Sequence, residues 1–140
     1  NNDILIDTYF DKYNKLIRKI KSNEYELETI EAVVYGGISG HSTDNISPSN
    51  NSSGLDEKLS KIEKLKAKIG KLYVKQELLR KEYLKTLNKL SRFEYEIILT
   101  SFYLDKLSLK EISIRLNKSI AFVKKNKREA MDELLIIIAN

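Results

Sequence analysis

Basic side chains are concentrated between Lys106 and Arg128, and they are the residues of this sequence best suited to bind a ligand. The segment contains eight lysines and arginines against one acidic residue, Glu111, whereas the whole chain has a net charge of +5. Ammonium and guanidinium groups bind phosphates, and neutralising several phosphates of a nucleic acid releases bound counterions. The charge distribution therefore predicts a polyanionic partner for this segment.

The spacing of these residues separates basic from apolar side chains if a helix begins at Ile120. An advance of about 100° per residue produces two opposite faces. Such a helix could bury one face and present the other as a basic surface. The face expected to pack against the protein holds Val123, Asn126, Ala130 and Leu134. The face expected to be exposed holds Ile120, Ala121, Lys124, Lys125 and Arg128.

Local signals place this helix after a shorter helix and a tight turn. Ser108 and Glu111 are spaced as a capping box, which predicts a helix over residues 109–116. Asn117 tolerates the left-handed conformation that a tight turn needs, and Ser119 can cap the next helix. The segment is therefore predicted to form a helix-turn-helix.

A helix-turn-helix binds double-stranded DNA by placing the first turns of its second helix in the major groove. The competing interpretation is that the lysines only solvate the surface of an amphipathic helix. The residues predicted to enter the groove are Ser119, Ile120, Ala121, Lys124, Lys125 and Arg128. The residues predicted to contact phosphates are Lys106, Ser108, Lys110, Arg115, Lys118 and Lys127.

Two long helices are predicted before this segment. In residues 1–34, apolar residues recur at alternating steps of three and four, with Asn23 as the one polar member of a heptad seam. Residues 35–54 are rich in Gly, Ser and Asn and predict a flexible linker, and residues 55–90 resume the spacing of the seam. The two apolar stripes could pair as an antiparallel hairpin or between two chains, and the spacing is compatible with both.

Residues 91–140 are predicted to form a C-terminal helical unit that carries the helix-turn-helix. Ser91 and Glu94 are spaced as another capping box, so a helix should begin there with Phe93 facing inward. The chain ends in an apolar run, residues 134–139, which is expected to pack against the long helices or a second subunit. The predicted fold is therefore all-α.

The composition excludes several classes of function. The chain has no Cys and a single His, His41, so it lacks the residues of a thiolate or histidine metal site and of nucleophilic catalysis. No apolar run approaches the ~20 residues of a membrane span, and the first residues do not resemble a signal peptide. We expect a cytoplasmic protein that is not an enzyme, with no catalytic residue, metal or cofactor and no membrane partner.

The string SLKEISIRLNKSIAFVKKNKREAMDEL resembles the helix-turn-helix of sigma factor region four. The likeness lies in a Ser-x-x-Glu-Ile opening, a Leu before the turn, a Ser at the cap and an Ala before the closing Leu. Because two long helices and a Ser/Pro/Gly-containing break precede it, the chain is similar to the ArpU/RinA type of phage late-gene transcription regulator. Asn117 stands where this motif usually has Gly, and Asn126 stands where an apolar residue often packs.

The resemblance implies a DNA-binding activator encoded by a phage or prophage. Its expected partners are double-stranded DNA, RNA polymerase, and further copies of the chain that associate through the long helices or the apolar tail. Two alternatives stay open at this point. One is a small-terminase-like DNA-binding oligomer, and the other is a coiled-coil module that binds proteins.

Overall fold

A computed structural model describes the backbone of residues 2–36 and 48–140, and the side chains of residues 2–36 and 54–140. The described residues form helices joined by turns, so the all-α prediction is confirmed for them. The helices are α1 (Asn2–Tyr9), α2 (Asp11–Tyr35), α3 (Pro48–Leu87), α4 (Phe93–Leu99), α5 (Leu109–Leu116) and α6 (Ile120–Ala139), with a π-helical segment at Thr100–Leu104 after α4.

The prediction of one uninterrupted helix over residues 1–34 is wrong, because the chain breaks between α1 and α2 at Phe10. Phe10 is fully buried, and its ring stacks on that of Tyr103 with 4.7 Å between centroids and 9° between planes. The ring of Tyr83 packs against Phe10 at 4.9 Å. Phe10 is not a member of the predicted seam, so long-range aromatic packing sets the helix boundary here and overrides the local periodicity.

The boundaries predicted for the linker and the second long helix also differ from the structure. Residues 48–54, assigned to the linker over 35–54, form the first turns of α3, in agreement with the preference of Pro for the first position of a helix. Residues 37–47 of that linker, with His41, lie outside the described residues. At its other end α3 stops at Leu87 rather than at residue 90, and a turn follows in which the amide of Leu90 donates to the Leu87 carbonyl at 3.1 Å.

The chain divides into two compact units, and the division does not follow the predicted domains. One unit comprises Asn1–Lys15 and Glu77–Asn140, and the other comprises Leu16–Gln76. The predicted unit of residues 91–140 is therefore part of a larger one that includes α1, because α1 packs on α6.

In the unit Leu16–Gln76, the parts of α2 and α3 face each other through apolar side chains with polar contacts at the edges. Three contacts cross the pair: Tyr73 to Glu24 at 2.5 Å, Lys66 to Glu31 at 3.6 Å and Lys61 to Glu26 at 3.1 Å. The buried residues are Ile20, Asn23, Ile62, Leu65, Ile69 and Leu72. Asn23 is buried in the seam, as its spacing predicts.

The capping box predicted at Ser91 and Glu94 is wrong. Arg92 occupies the N-cap position of α4, and its side chain makes no capping hydrogen bond. Both the amide and the hydroxyl of Ser91 donate to the carboxylate of Glu133 on α6. Phe93, predicted to face inward, is 65% exposed. A carboxylate distant in sequence therefore accepts from the Ser91 amide, which a local capping box would have directed to Glu94, and from the Ser91 hydroxyl, which in that box would have been an acceptor.

The apolar end of α6 is buried only in part. Leu134 is fully buried, while Ile136 and Ile138 are 64% and 37% exposed. Leu134 is therefore buried within this chain, while packing of the rest of the run against a second subunit stays a prediction.

Candidate nucleic-acid interface

The first element of the interface, α5, begins at the predicted capping box. The Ser108 hydroxyl accepts from the amide of Glu111 at 3.1 Å, and the Glu111 carboxylate accepts from the amide of Ser108 at 2.9 Å. These hydrogen bonds from Ser108 hold the pKa of Glu111 below its usual value. Two of the amides that a helix start leaves without partners are thereby satisfied.

The turn between α5 and α6 has the predicted conformation. Asn117 is left-handed, with φ 55° and ψ 46°, and the amide of Lys118 donates to the Ser113 carbonyl at 3.0 Å. Ser119 caps α6, since its hydroxyl accepts from the amide of Phe122 at 3.0 Å. Helix α5 therefore begins and ends, and α6 begins, at the residues expected from the sequence.

An apolar cluster seats the first turns of α6. Ile98 of α4, Ile112 of α5 and Val123 of α6 are fully buried in it. The partly buried residues around the cluster are Phe102, Leu107, Leu109 and Leu116. Two helices therefore fix the position of α6. A side chain that reads DNA needs such a rigid support to reach a defined base.

Asn126 lies on the buried face of α6, where the helical spacing places it. It is 4% exposed, and its side-chain amide donates to the Phe122 carbonyl one turn earlier at 2.8 Å. Its side-chain oxygen is buried and has no hydrogen-bond partner within the described part of the chain.

The three cations predicted for the groove lie on the accessible face of α6. Lys124, Lys125 and Arg128 are exposed, and within the described residues none of them makes an ion pair, a hydrogen bond or a ring contact. The other predicted groove residues, Ser119, Ile120 and Ala121, are also exposed. All six residues therefore share one accessible surface at the start of α6.

The carboxylates of α6 face other partners. Glu129 accepts from the hydroxyl of Tyr95 at 2.9 Å, and Glu133 accepts from Ser91. Asp132 accepts from the side chain of Asn2 at 2.6 Å. Each of the three acids is thus hydrogen-bonded to α1, α4 or the turn before α4, and within the described residues none of them forms an ion pair with Lys124, Lys125 or Arg128.

The structure separates the predicted phosphate contacts into two groups. Lys110 and Lys118 are exposed, although the Lys118 ammonium also lies 5.3 Å from the centroid of the Phe122 ring. Ser108 is occupied in the capping box, and the Lys106 ammonium donates to the side-chain oxygen of Asn14. Within the described residues, Lys110 and Lys118 are exposed and make no ion pair, while Lys106 and Ser108 are exposed and also make contacts within the protein.

Arg115 and Lys127, also predicted to contact phosphates, make contacts within the protein. The Arg115 guanidinium donates to the Ser101 hydroxyl at 3.0 Å and lies 3.5 Å from the Asp105 carboxylate. The Lys127 ammonium lies 4.3 Å from the centroid of the Phe102 ring, a cation–π contact. Both side chains therefore help to hold α5 and α6 on the body of the unit.

Two features of the interface were missed in the sequence. The Asp105 carboxylate bridges Arg115 and Arg80 of α3, at 2.9 Å from the latter, so it ties α5 to α3. An open cleft of about 510 Å³ lies beside the basic face and is lined by Lys124, Arg128 and other residues, including Asn2 and Asp3 of α1. No local spacing signals either feature, because both join residues far apart in the chain.

No protein-family model matches the chain, and no similar chain is found among curated proteins or solved structures. In the described ranges, none of the helices is long and apolar enough to cross a membrane.

Proposed function

We propose that this protein is a sequence-specific, double-stranded DNA-binding transcription regulator in which α5 and α6 form a helix-turn-helix. The observation that carries the proposal is the surface of Lys124, Lys125 and Arg128. These three cations are exposed and unpaired within the described residues, at the start of a helix whose opposite face is buried. Helix-turn-helix proteins use this part of their second helix to contact base edges and phosphates.

The chemistry of the accessible face suits the major groove. Arg128 can donate two hydrogen bonds to the O6 and N7 of a guanine, and each good bidentate pair contributes about 1–3 kcal/mol of discrimination against the wrong base. Ile120 and Ala121 are exposed apolar side chains that can contact a thymine methyl group. The face therefore combines groups that attract any DNA with groups that distinguish its sequence.

Lys110 and Lys118 are the residues we assign to phosphates beside the groove. Together with Lys124, Lys125 and Arg128 they make five accessible cations on α5, α6 and the turn. The logarithm of the binding constant should fall linearly with the logarithm of the salt concentration. The slope should be about −2 if two of the five cations contact phosphates and about −4.5 if all five do.

The long helices are proposed as the platform of the regulator. Two of the three contacts between α2 and α3, Glu24 with Tyr73 and Glu31 with Lys66, pair rising residue numbers in α2 with falling numbers in α3, whereas Glu26 with Lys61 departs from that order. The two contacts support an antiparallel hairpin, and pairing between chains stays the alternative. The exposed Ile136 and Ile138 of α6 are a surface for a further copy of the chain. A contact to RNA polymerase and a role as phage late-gene activator rest on the family resemblance.

The proposal is tested by selecting bound fragments from genomic DNA of the host and its phages at two salt concentrations. The parent should enrich one site, and a Lys124→Ala/Lys125→Ala/Arg128→Ala variant should lose it. A Lys81→Ala/Lys85→Ala/Lys89→Ala variant removes the same charge from exposed lysines outside the interface, so it should keep the site. If all three proteins enrich the same fragments, or the parent enriches none, the assignment of α6 is wrong.

A further inference from the structure

A second basic surface lies on α3, outside the interface just described. Residues 64–76, KLKAKIGKLYVKQ, contain five lysines and no acidic residue. Four of these lysines are exposed, and they follow one another at intervals of four, three and four residues. We call Lys64, Lys68, Lys71 and Lys75 the α3 lysine stripe.

The α3 lysine stripe follows one face of the helix. At about 100° per residue, its four members stay within roughly 60° of one another, and their mean direction is about 110° from that of the buried stripe of the same helix. With a rise of 1.5 Å per residue, the stripe is about 16 Å long. The buried stripe consists of Ile62, Leu65, Ile69 and Leu72.

The stripe is not neutralised within the unit Leu16–Gln76. Lys61 and Lys66 of the same helix each pair with a glutamate of α2, Glu26 and Glu31 respectively. The four lysines of the stripe have no such partner in the described part of the chain. Like charges one helical turn apart destabilise a helix, so the stripe carries a repulsion that a polyanion would relieve.

We propose that the α3 lysine stripe binds the sugar-phosphate backbone of double-stranded DNA, in addition to the contacts made by α6. The inference rests on the proposed function, since it takes the same DNA as the ligand. One strand of DNA presents a phosphate about every 3.4 Å along the helix axis but winds around that axis, so four ammonium groups in a straight stripe can meet about two to four phosphates.

The chemistry of the stripe favours a phosphate backbone over a protein partner or the edges of bases. Lysine is a point charge without the planar fork that reads guanine, so it positions DNA and does not specify sequence. Protein interfaces are depleted in lysine and draw most of their affinity from Trp, Tyr and Arg, and the stripe presents none of these. The stripe should therefore add affinity that is sensitive to salt and indifferent to sequence.

The test measures affinity against salt for the full chain on DNA that contains the selected site within long flanks. The stripe variant is Lys64→Gln/Lys68→Gln/Lys71→Gln/Lys75→Gln. A control variant, Lys12→Gln/Lys21→Gln/Lys58→Gln/Lys85→Gln, removes the same charge from exposed lysines that do not form a stripe. Thermal unfolding of each variant checks that it is folded.

The stripe variant should keep its preference for the site, and its salt slope should be less steep than that of the parent by about 2, as expected for loss of at least two phosphate contacts. Over a fourfold rise in salt, the affinity of the parent should then fall at least about tenfold more than that of the variant. The control variant should keep the slope of the parent within about 0.5.

The α6 variant Lys124→Ala/Lys125→Ala/Arg128→Ala, measured in parallel, separates this inference from the proposed function. If the stripe variant has the slope of the control while the α6 variant loses the site, the stripe does not bind DNA and the proposed function stands. If the α6 variant keeps full preference for the site while the stripe variant binds weakly, the assignment of α6 is overturned and the stripe remains a DNA contact.

Discussion

Replacing Asn126 by Leu should stabilise the unit that carries the DNA-binding surface. The side-chain oxygen of Asn126 is buried without a partner, and an unsatisfied buried polar group costs about 1–3 kcal/mol. Leu has the same number and branching of side-chain heavy atoms, so it can occupy the site with little rearrangement. The substitution also makes the buried face of α6 apolar throughout, because Asn126 is the one polar residue on it.

Two effects oppose this gain. The substitution removes the hydrogen bond from the Asn126 amide to the Phe122 carbonyl, a neutral bond that contributes about 0.5–1.5 kcal/mol. Methyl groups are also bulkier than the amide atoms, and overpacking a tight core carries a cost of its own. Because the better helix propensity of Leu adds a few tenths of a kcal/mol, we expect a net stabilisation of about 1–2 kcal/mol.

The assay is urea unfolding followed by circular dichroism, beside thermal unfolding. For a chain of 140 residues, 1 kcal/mol corresponds to about 3–4 °C in Tm, so the transition should rise by about 3–8 °C. Asn126→Ala is the control, because it removes the unpaired oxygen without filling the space, and it should be about 2 kcal/mol less stable than Asn126→Leu. DNA affinity should change less than twofold, since Lys124, Lys125 and Arg128 lie on the other face.

The reasoning is refuted if both variants are less stable than the parent. The side-chain oxygen would then be satisfied in solution, and the polar residue would contribute to the seating of α6. A fall in DNA affinity with unchanged stability would instead show that Asn126 sets the orientation of the basic face.

Three further substitutions test other parts of the structure. Gly70→Ala should raise the free energy of unfolding by about 1 kcal/mol, since a Cβ there meets nothing within 4 Å, while Ala67→Gly on the same helix should lower it by a similar amount. Lys124→Gln should reduce the salt slope of DNA binding by about one, whereas Lys127→Gln, whose ammonium lies over an aromatic ring, should leave it unchanged. Burial raises the pKa of Tyr83 to about 12, so its neutral form stabilises the fold below pH 10 and that contribution is lost between pH 10 and 12. Tyr83→Phe should therefore flatten the alkaline loss of stability in pH-dependent unfolding, and an unchanged profile would contradict this assignment.

The segment from Ser108 to Ile120 was predictable because each of its signals acts over a few residues. A cap hydroxyl meets an amide three residues later, and a left-handed Asn terminates a helix whatever lies elsewhere in the chain. The local signal at Ser91 was misleading, because Glu133, 42 residues away, accepts from both the amide and the hydroxyl of Ser91. Local spacing also failed at Phe10, whose position is set by rings from two later helices. Periodicity predicts which face of a helix is buried, but it does not say which other element that face packs against.

The same distinction decides which basic residues remain available to a ligand. The sequence predicts a groove contact for Lys124 and a phosphate contact for Lys127, but the Lys127 ammonium lies 4.3 Å from the centroid of the Phe102 ring. Arg115 is likewise taken up by Asp105. Lys124 remains available because the acids that follow it on α6 are bonded to other elements, as Glu129 is to Tyr95. The basic surface therefore depends on the hydrogen bonds that these acids make with other elements. Tyr95→Phe frees the Glu129 carboxylate and should therefore weaken DNA binding without removing any positive charge. DNA affinity equal to that of the parent would show that the Glu129 carboxylate cannot reach Lys124, Lys125 or Arg128.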